Sequence, residues 1–238
     1  LIPRSAVIVN WHYGVEPTYA PFIQTIAGGG FEQMVAPGAR NWNEIFPNVD
    51  QAMVNERRFI NEGKAARVLG TFETVWHDDG ETLYEATWYP VVYAAAAAWQ
   101  TGDVAPERFA NDFPSAFFGV EDRAYSDDVA QLAGALTQLE SIAQREPSQT
   151  DPLFWSSTFD PASAAYARQT DLRHLRLRVE SVERHLYFRT PPLHANAAAV
   201  MLLAARRYDA LGRKLQMPGE MRSMYDDAIA HAPTDRDT

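Results

Sequence analysis

The sequence predicts an α/β fold in residues 1–101 and an all-helical region in residues 102–238. Two observations support this division: short β-branched runs alternate with helical patterns only in the first part, and no strand pattern appears after Trp88. The predicted strands recur at spacings of roughly 25 to 36 residues, which is the repeat of a (β/α)8 barrel. A doubly wound sheet has the same rhythm, so the spacing leaves both architectures open.

The predicted order in the first part is strand, helix, strand, helix, strand. Residues 6–10 form an unbroken β-branched run, typical of a strand buried on both faces in a parallel sheet. Residues 31–35 and 67–72 are the second and third predicted strands. A helix over residues 17–27 precedes the glycine run at residues 28–30, which we interpret as a helix stop.

The second helix is predicted to begin at Asn48 or Asp50, either of which can act as an N-cap, and to end at Gly63. A polar loop, residues 73–81, follows the third strand.

Three helices are predicted next, over residues 91–99, 106–118 and 127–145. Proline, serine and threonine in residues 145–160 predict a loop, and helical patterning returns from residue 161 to about Leu215, interrupted at Pro191 and Pro192.

Composition excludes several classes of function. With 31 acidic and 21 basic residues, the formal charge is -10, which disfavours nucleic acid and anionic membrane surfaces as partners. The chain has no cysteine, so thiolate chemistry and disulfides are excluded. The longest apolar run, residues 91–99, is far shorter than the roughly 20 residues of a membrane span, so no membrane segment is predicted. Because the first residues run almost at once into a strand, we expect the chain to begin inside a domain.

Each predicted strand runs directly into a polar cluster that contains one tryptophan: Trp11, Trp42 and Trp76. In parallel α/β folds, binding residues lie at the carboxyl ends of the strands. A pyranose ring presents an apolar C–H face that packs on indole and a hydroxyl rim that needs carboxylates or amides. A single strand-end tryptophan is more often a packing residue, but three in register predict a carbohydrate site.

The sequence predicts no metal site and no cofactor. His174, His185 and His194 lack the spacing of metal ligands and are interpreted as structural or surface residues. The glycine run at residues 28–30 precedes a strand, whereas a dinucleotide-binding glycine loop follows one.

These strand-end segments carry a family resemblance. The order Val-Ile-Val-Asn-Trp at residues 7–11, then residues 35–43, then residues 69–78 resembles the last three barrel strands of family 20 glycoside hydrolases. The resemblance covers roughly the first 100 residues. It implies the C-terminal portion, about three strands, of a TIM barrel. It also implies removal of terminal N-acetylhexosamine by retaining hydrolysis, in which the substrate's own acetamido oxygen is the nucleophile.

The resemblance further implies roles for individual residues. Trp11 and Trp76 would form walls around the terminal sugar, and Asp78 would bind distal hydroxyls at a position where the family usually has Glu. Asn41 and Asn43 would contact the substrate near the family's Tyr-x-Asp, although both are amides here.

The family's catalytic Asp-Glu pair has no counterpart in this sequence, so no catalytic residue is assigned. We expect the pair to lie on a missing N-terminal part of the barrel, and this chain alone to be inactive. Two alternatives stay open: a non-catalytic carbohydrate-binding barrel, and a glycosidase of another substrate class.

Overall fold

The computed structural model describes residues 2–78, 82–143, 150–158 and 171–231. Its sheet has three parallel strands in the order β1 (Val7–Trp11), β2 (Glu32–Ala36) and β3 (Gly70–Thr71). The α/β prediction for this part is therefore confirmed. The third strand is much shorter than predicted, because Arg67 adopts a φ of 57° and regular pairing begins only at Gly70.

Two helices cover one face of this sheet: α1 (Ala20–Gly28) and α2 (Val49–Ala65). Asn48 is the N-cap of α2, where its side chain accepts a hydrogen bond from the Gln51 amide at 3.2 Å. The prediction that α2 ends at Gly63 is wrong. A Cβ at Gly63 would lie 3.0 Å from both methyl groups of Val35, so this glycine lets the helix approach the sheet closely.

The two faces of the sheet differ in what covers them. On the helix face, Val35 packs in a small apolar core with Tyr19, Ile23 and Phe59. The opposite face is apolar yet exposed: we call it the open face, and its most exposed side chains are Val7, Val9, Trp11 and Phe72.

A short 3₁₀ turn, Tyr84–Thr87, leads into the helical part of the chain. Its helices are α3 (Trp88–Trp99), α4 (Pro106–Phe113) with a π-helical turn (Pro114–Phe118), α5 (Ala124–Ala143), α6 (Thr150–Trp155), α7 (Asp171–Phe188) and α8 (Ala195–Ala230). The start of the last predicted helical stretch and the predicted end at residue 145 lie outside the described residues.

Two predictions in the helical part are wrong. The predicted loop over residues 145–160 contains α6, which is held at its first residue by Glu44: the Thr150 amide and hydroxyl donate to Oε2 of Glu44 at 3.1 and 2.5 Å. The last helix was predicted to end near Leu215 but continues through Pro218 to Ala230. Proline removes one intrahelical hydrogen bond, and here it does not end the helix.

One large apolar core joins α2 and α3 to the later helices. Its largest fully buried side chains include Phe46, Tyr93, Phe118, Leu132 and Tyr208. Among the described residues, no helix combines the length and the apolar character that crossing a bilayer requires.

Candidate functional site

A cavity of about 820 Å³ lies where the three strands end. Its lining is mainly aromatic and aliphatic, with an arginine, a threonine and a carboxylate: Val9, Trp11, Tyr13, Arg40, Trp42, Phe72, Thr74, Trp76 and Asp78. The structure thus brings together Trp11, Trp42, Trp76 and Asp78, four of the six predicted substrate-binding residues. Asn41 and Asn43 do not line the cavity.

Tyr13 is the aromatic side chain that connects the three tryptophans. Its ring centroid lies 5.5 Å from that of Trp11, 5.2 Å from that of Trp42 and 6.4 Å from that of Trp76. Trp76 Nε1 donates a hydrogen bond to the Tyr13 hydroxyl at 2.8 Å. Tyr13 is not among the residues that the sequence predicts for the site, although it lies two residues after Trp11 in the same strand-end cluster.

The tryptophans at the two outer strands present free ring surface to solvent. Trp11 is 63% exposed and Trp76 is 47% exposed. Large apolar side chains normally lose water contact on folding, so exposed indoles grouped around one cavity favour contact with a ligand over a packing role.

Arg40 closes one side of the cavity. Its guanidinium carbon lies 5.2 Å from the centroid of the Trp42 ring, which is the geometry of a cation–π contact. It also donates to the backbone oxygen of Tyr13 at 3.2 Å and to the side-chain oxygen of Gln51. Arg40 therefore links the end of the first strand to the loop after the second. The sequence does not predict this role, because it depends on contacts between residues that are distant in sequence.

Asn41 lies outside the cavity and forms hydrogen bonds with the backbone of Trp76. It is fully buried, its Nδ2 donates to the backbone oxygen of Trp76 at 2.6 Å, and its Oδ1 accepts from the Trp76 amide at 3.1 Å. Asn41 therefore positions Trp76, and its predicted place on the substrate side does not match its place in the structure.

Asn43 has a φ of 60°, a left-handed conformation that asparagine tolerates better than most residues. Its Oδ1 is buried and, among the described residues, has no hydrogen-bond partner. We assign it no contact with the cavity.

Replacing Asn41 tests this positioning role. We expect Asn41→Ala to lower the free energy of unfolding by about 1–3 kcal/mol, because two buried backbone groups lose their partners. Hydrogen exchange should show faster exchange of the Trp76 amide than in the unmodified protein. Asn41→Asp keeps the acceptor for that amide and should protect it better than Asn41→Ala does; equal exchange in both variants and in the unmodified protein would contradict the assignment.

Asn55 of α2 forms hydrogen bonds with the loops that follow β1 and β2. Its Oδ1 accepts from the Gly38 amide at 3.2 Å, and its Nδ2 donates to the backbone oxygens of His12 at 2.9 Å and Gly14 at 3.2 Å and to the Tyr19 hydroxyl at 2.7 Å. One buried side chain thus joins the loops that follow β1 and β2.

Gly38 is required at this junction. A Cβ there would lie 2.9 Å from the Tyr13 ring and 3.0 Å from the Thr74 hydroxyl. The loops after the three strands therefore meet too closely for any larger residue at position 38.

The carboxylates near the site fall into two groups. Asp78 is the one carboxylate among the described residues that line the cavity. Glu73 lies between the lining residues Phe72 and Thr74 in sequence but contacts Glu56 of α2, which places it on the opposite side of the chain. Glu56 is fully buried.

Burial raises the pKa of both Glu56 and Glu73, and the neighbouring carboxyl raises that of Glu56 further. Among the described residues, no donor reaches any of their four carboxyl oxygens, so a shared proton between the two groups is what can satisfy them. Neither carboxyl of this buried pair lines the cavity.

Among the described residues, no histidine lines the cavity. The His12 ring stacks on Phe22 at 3.8 Å, and burial lowers its pKa. His185 contacts the carboxylate of Asp128, and His194 stacks on Phe117 at 4.2 Å. The structural interpretation of His185 and His194 therefore matches their contacts.

The arrangement can bind a ring with an apolar face by stacking and can accept hydrogen bonds from its hydroxyls through Asp78. It does not, within the described residues, pair an acid with a base around the cavity. The chain matches no known protein family, and no curated protein is detectably similar to it in sequence.

Proposed function

We propose that this chain is part of a glycoside hydrolase that removes terminal N-acetylhexosamine from glycoconjugates. The observation that carries the proposal is the cavity at the strand ends, with Trp11, Trp42 and Trp76 on its walls and Asp78 at its edge. Stacking surface beside a carboxylate is the combination that a pyranose needs, since its ring has an apolar face and a hydroxyl rim.

The roles within this proposal follow from exposure. Trp11 and Trp76, which are 63% and 47% exposed, would pack on the sugar ring. Asp78 would accept hydrogen bonds from hydroxyls, and Tyr13 would fix the orientation of the Trp76 ring through the bond to its Nε1. The site would be pre-formed, which reduces the entropy lost on binding.

The proposal places the catalytic acid outside this chain. Substrate-assisted retaining hydrolysis needs one carboxyl to orient the acetamido group and another to protonate the leaving oxygen. Asp78 alone cannot fill both roles, and the buried pair of Glu56 and Glu73 lies on the other side of the third strand. The open face of the sheet supports the same inference, because further strands that close the sheet into a barrel would enclose Val7, Val9 and Phe72.

A second candidate function is non-catalytic carbohydrate binding. It is favoured by Asn41, whose side chain is buried outside the cavity and bonded to the Trp76 backbone, and so does not reach an acetamido carbonyl. A glycosidase that acts on a non-acetylated sugar is the third candidate, since the same stacking surface suits either substrate.

Two measurements separate these candidates. Calorimetric titration with N-acetylglucosamine, N-acetylgalactosamine, glucose and galactose should show preference for the acetylated sugars if the hexosaminidase proposal holds. Aryl N-acetylhexosaminides should not be turned over by this chain alone, and robust turnover would contradict placing the acid elsewhere. Binding of none of the four sugars at millimolar concentration would remove the carbohydrate proposal altogether.

Trp76→Ala should weaken sugar binding about tenfold or more, since loss of one stacking platform costs about 1.4 kcal/mol or more. Trp99→Ala is the matched control: Trp99 is 91% exposed at the end of α3 and lines no part of the cavity. Titration of both variants with the sugar that binds best measures the difference. Equal affinities for the two variants, with unfolding transitions unchanged, would rule out Trp76 as a contact.

A further inference from the structure

The Tyr13 ring is fixed in the cavity wall by contacts on several sides. Its centroid lies 5.5 Å from that of Trp11 and 5.2 Å from that of Trp42. The backbone of Gly38 packs against the ring so closely that a Cβ there would lie 2.9 Å from its Cδ1 and 3.2 Å from its Cε1. Arg40 donates to the backbone oxygen of the same residue at 3.2 Å. Because ring and backbone are both held, the fold sets the position of the phenol oxygen.

The Tyr13 hydroxyl accepts one hydrogen bond from the protein and keeps its own proton. Trp76 Nε1 donates to it at 2.8 Å, and an indole N–H can only donate, so Tyr13 is the acceptor in this bond. The phenol proton must then point away from the indole N–H. Within the described part of the chain, no oxygen or nitrogen accepts that proton. Since Tyr13 lines the cavity, the proton is available to a ligand there.

The other polar side chains of the lining have different hydrogen-bonding roles. The Thr74 hydroxyl donates to the backbone oxygen of Pro37 at 2.8 Å, so its proton is used within the protein. Arg40 donates to the backbone oxygen of Tyr13. Asp78, as a carboxylate, can only accept. Of the two hydroxyls in the lining, Tyr13 is therefore the one that can donate to a ligand, and it complements the acceptor that Asp78 provides.

We propose that the Tyr13 hydroxyl donates a hydrogen bond to a substituent oxygen of the bound sugar and so determines which ring positions the site accepts. The inference rests on the proposed function, because it adds a contact to the same site. The bond from Trp76 strengthens this contact, since a hydroxyl that accepts a hydrogen bond becomes a better donor. A donor that is already fixed also loses little entropy on binding, and it favours a ligand whose acceptor lies at one position.

Calorimetric titration of Tyr13→Phe tests the contact, with N-acetylglucosamine or N-acetylgalactosamine as the ligand, whichever the unmodified protein binds more tightly. The variant should bind about three- to tenfold more weakly, the range expected for one neutral hydrogen bond. It keeps the aromatic ring, and Trp76, which is 47% exposed, can donate to water instead. Tyr187→Phe is the matched control and should leave the affinity unchanged, because Tyr187 is 63% exposed on α7 and lines no part of the cavity.

Sugar analogues separate a ligand contact from a purely structural role. The set consists of the 1-, 3-, 4- and 6-deoxy analogues of the same sugar and its counterpart with hydrogen in place of the acetamido group. The analogue that lacks the oxygen bound by Tyr13 should bind equally to the unmodified protein and to Tyr13→Phe, whereas the others should keep the difference. An equal loss with every analogue, or no loss with the parent sugar, would overturn the inference and leave the proposed function intact. If the unmodified protein binds neither N-acetylhexosamine, the inference and the proposed function fail together.

Exchange of the Tyr13 hydroxyl proton with water gives a second readout that needs no variant. Nuclear magnetic resonance of protein labelled at tyrosine Cζ measures this exchange. The rate should fall when the protein is saturated with the sugar, because the proton is then held between two oxygens. A rate that saturation leaves unchanged would contradict the proposed bond.

Discussion

Raising the pH from 5 to 8 is expected to lower the free energy of unfolding by at least about 3 kcal/mol, because several buried carboxyls keep their protons in the folded protein whereas the unfolded chain loses them. Burial raises the pKa of Glu44 from 4.5 to about 8, and it also raises those of Glu56 and Glu73. In the unfolded chain these groups titrate near their ordinary value. Their contribution to stability is therefore complete below about pH 4.5 and is lost as the pH rises towards 8.

Glu44 allows the clearest measurement, since its surroundings are simple. Besides the Thr150 hydrogen bonds, which lower its pKa, the charged groups that act on it are Glu140, which raises the pKa, and Arg40, which lowers it. Glu44→Gln removes the titration and keeps an oxygen that can accept from Thr150. Between pH 5.5 and 7.5 the slope of stability against pH should become less negative by about 1.4 kcal/mol per pH unit.

Urea unfolding at half-unit pH steps measures these slopes. Glu32→Gln, at an exposed position on the second strand, is the matched control and should change the slope much less. Glu56→Gln should behave as Glu44→Gln does and should be more stable than the unmodified protein at pH 8. Stability that is constant or increases from pH 5.5 to 7.5 in the unmodified protein would contradict the assignment of protonated carboxyls.

Asn55→Ala is expected to destabilise the protein by about 3–5 kcal/mol, because it leaves buried backbone groups unsatisfied in two loops at once. The Gly38 amide and the His12 carbonyl each lose the partner that Asn55 provides. The same variant should weaken sugar binding, since these loops carry Tyr13 and Arg40 into the cavity.

Asn61→Ala is the control for Asn55, because it removes the same side chain from the same helix. The Asn61 amide donates to Asp103 at 2.8 Å at an exposed site, where water can replace it, so a cost of about 1 kcal/mol or less is expected. Denaturant unfolding of both variants at one pH measures the difference. Similar costs for Asn55 and Asn61 would show that the Asn55 bonds do not join the loops as described.

The strand-end positions of Trp11, Trp42 and Trp76 could be predicted from the sequence, and all three line one cavity. Trp11, Trp42 and Trp76 follow three parallel strands, and parallel strands bring their carboxyl ends to one edge whatever the rest of the chain does. Asn41 looked equivalent in sequence because it also follows a strand. Its orientation depends on the Trp76 backbone 35 positions away, and no local pattern contains that information.

Helix boundaries show the same limit. Glycine commonly ends helices, yet Gly63 lies within α2, where its close contact with Val35 makes it a packing residue. Residues 150–155 form a short segment that includes a proline, but α6 forms because Glu44, more than a hundred positions earlier, caps its first residue. Helix propensity describes the isolated chain, and at one residue it separates helix from loop by only a few tenths of a kcal/mol. Tertiary contacts of this kind contribute more free energy than that, and so they decide where a helix begins and ends.

The sequence alone determined four features: the alternating α/β pattern, the acidic charge, the absence of cysteine and the row of strand-end tryptophans. Each of them depends on local composition or on the geometry common to parallel strands. Tertiary structure decided which side chains share one cavity, which carboxyls are buried and hold protons, and that Asn41 and Asn55 support loops. These properties depend on distances between segments far apart in the chain. Burial and long-range hydrogen bonding are set by those distances, and so they arise only when the chain has folded.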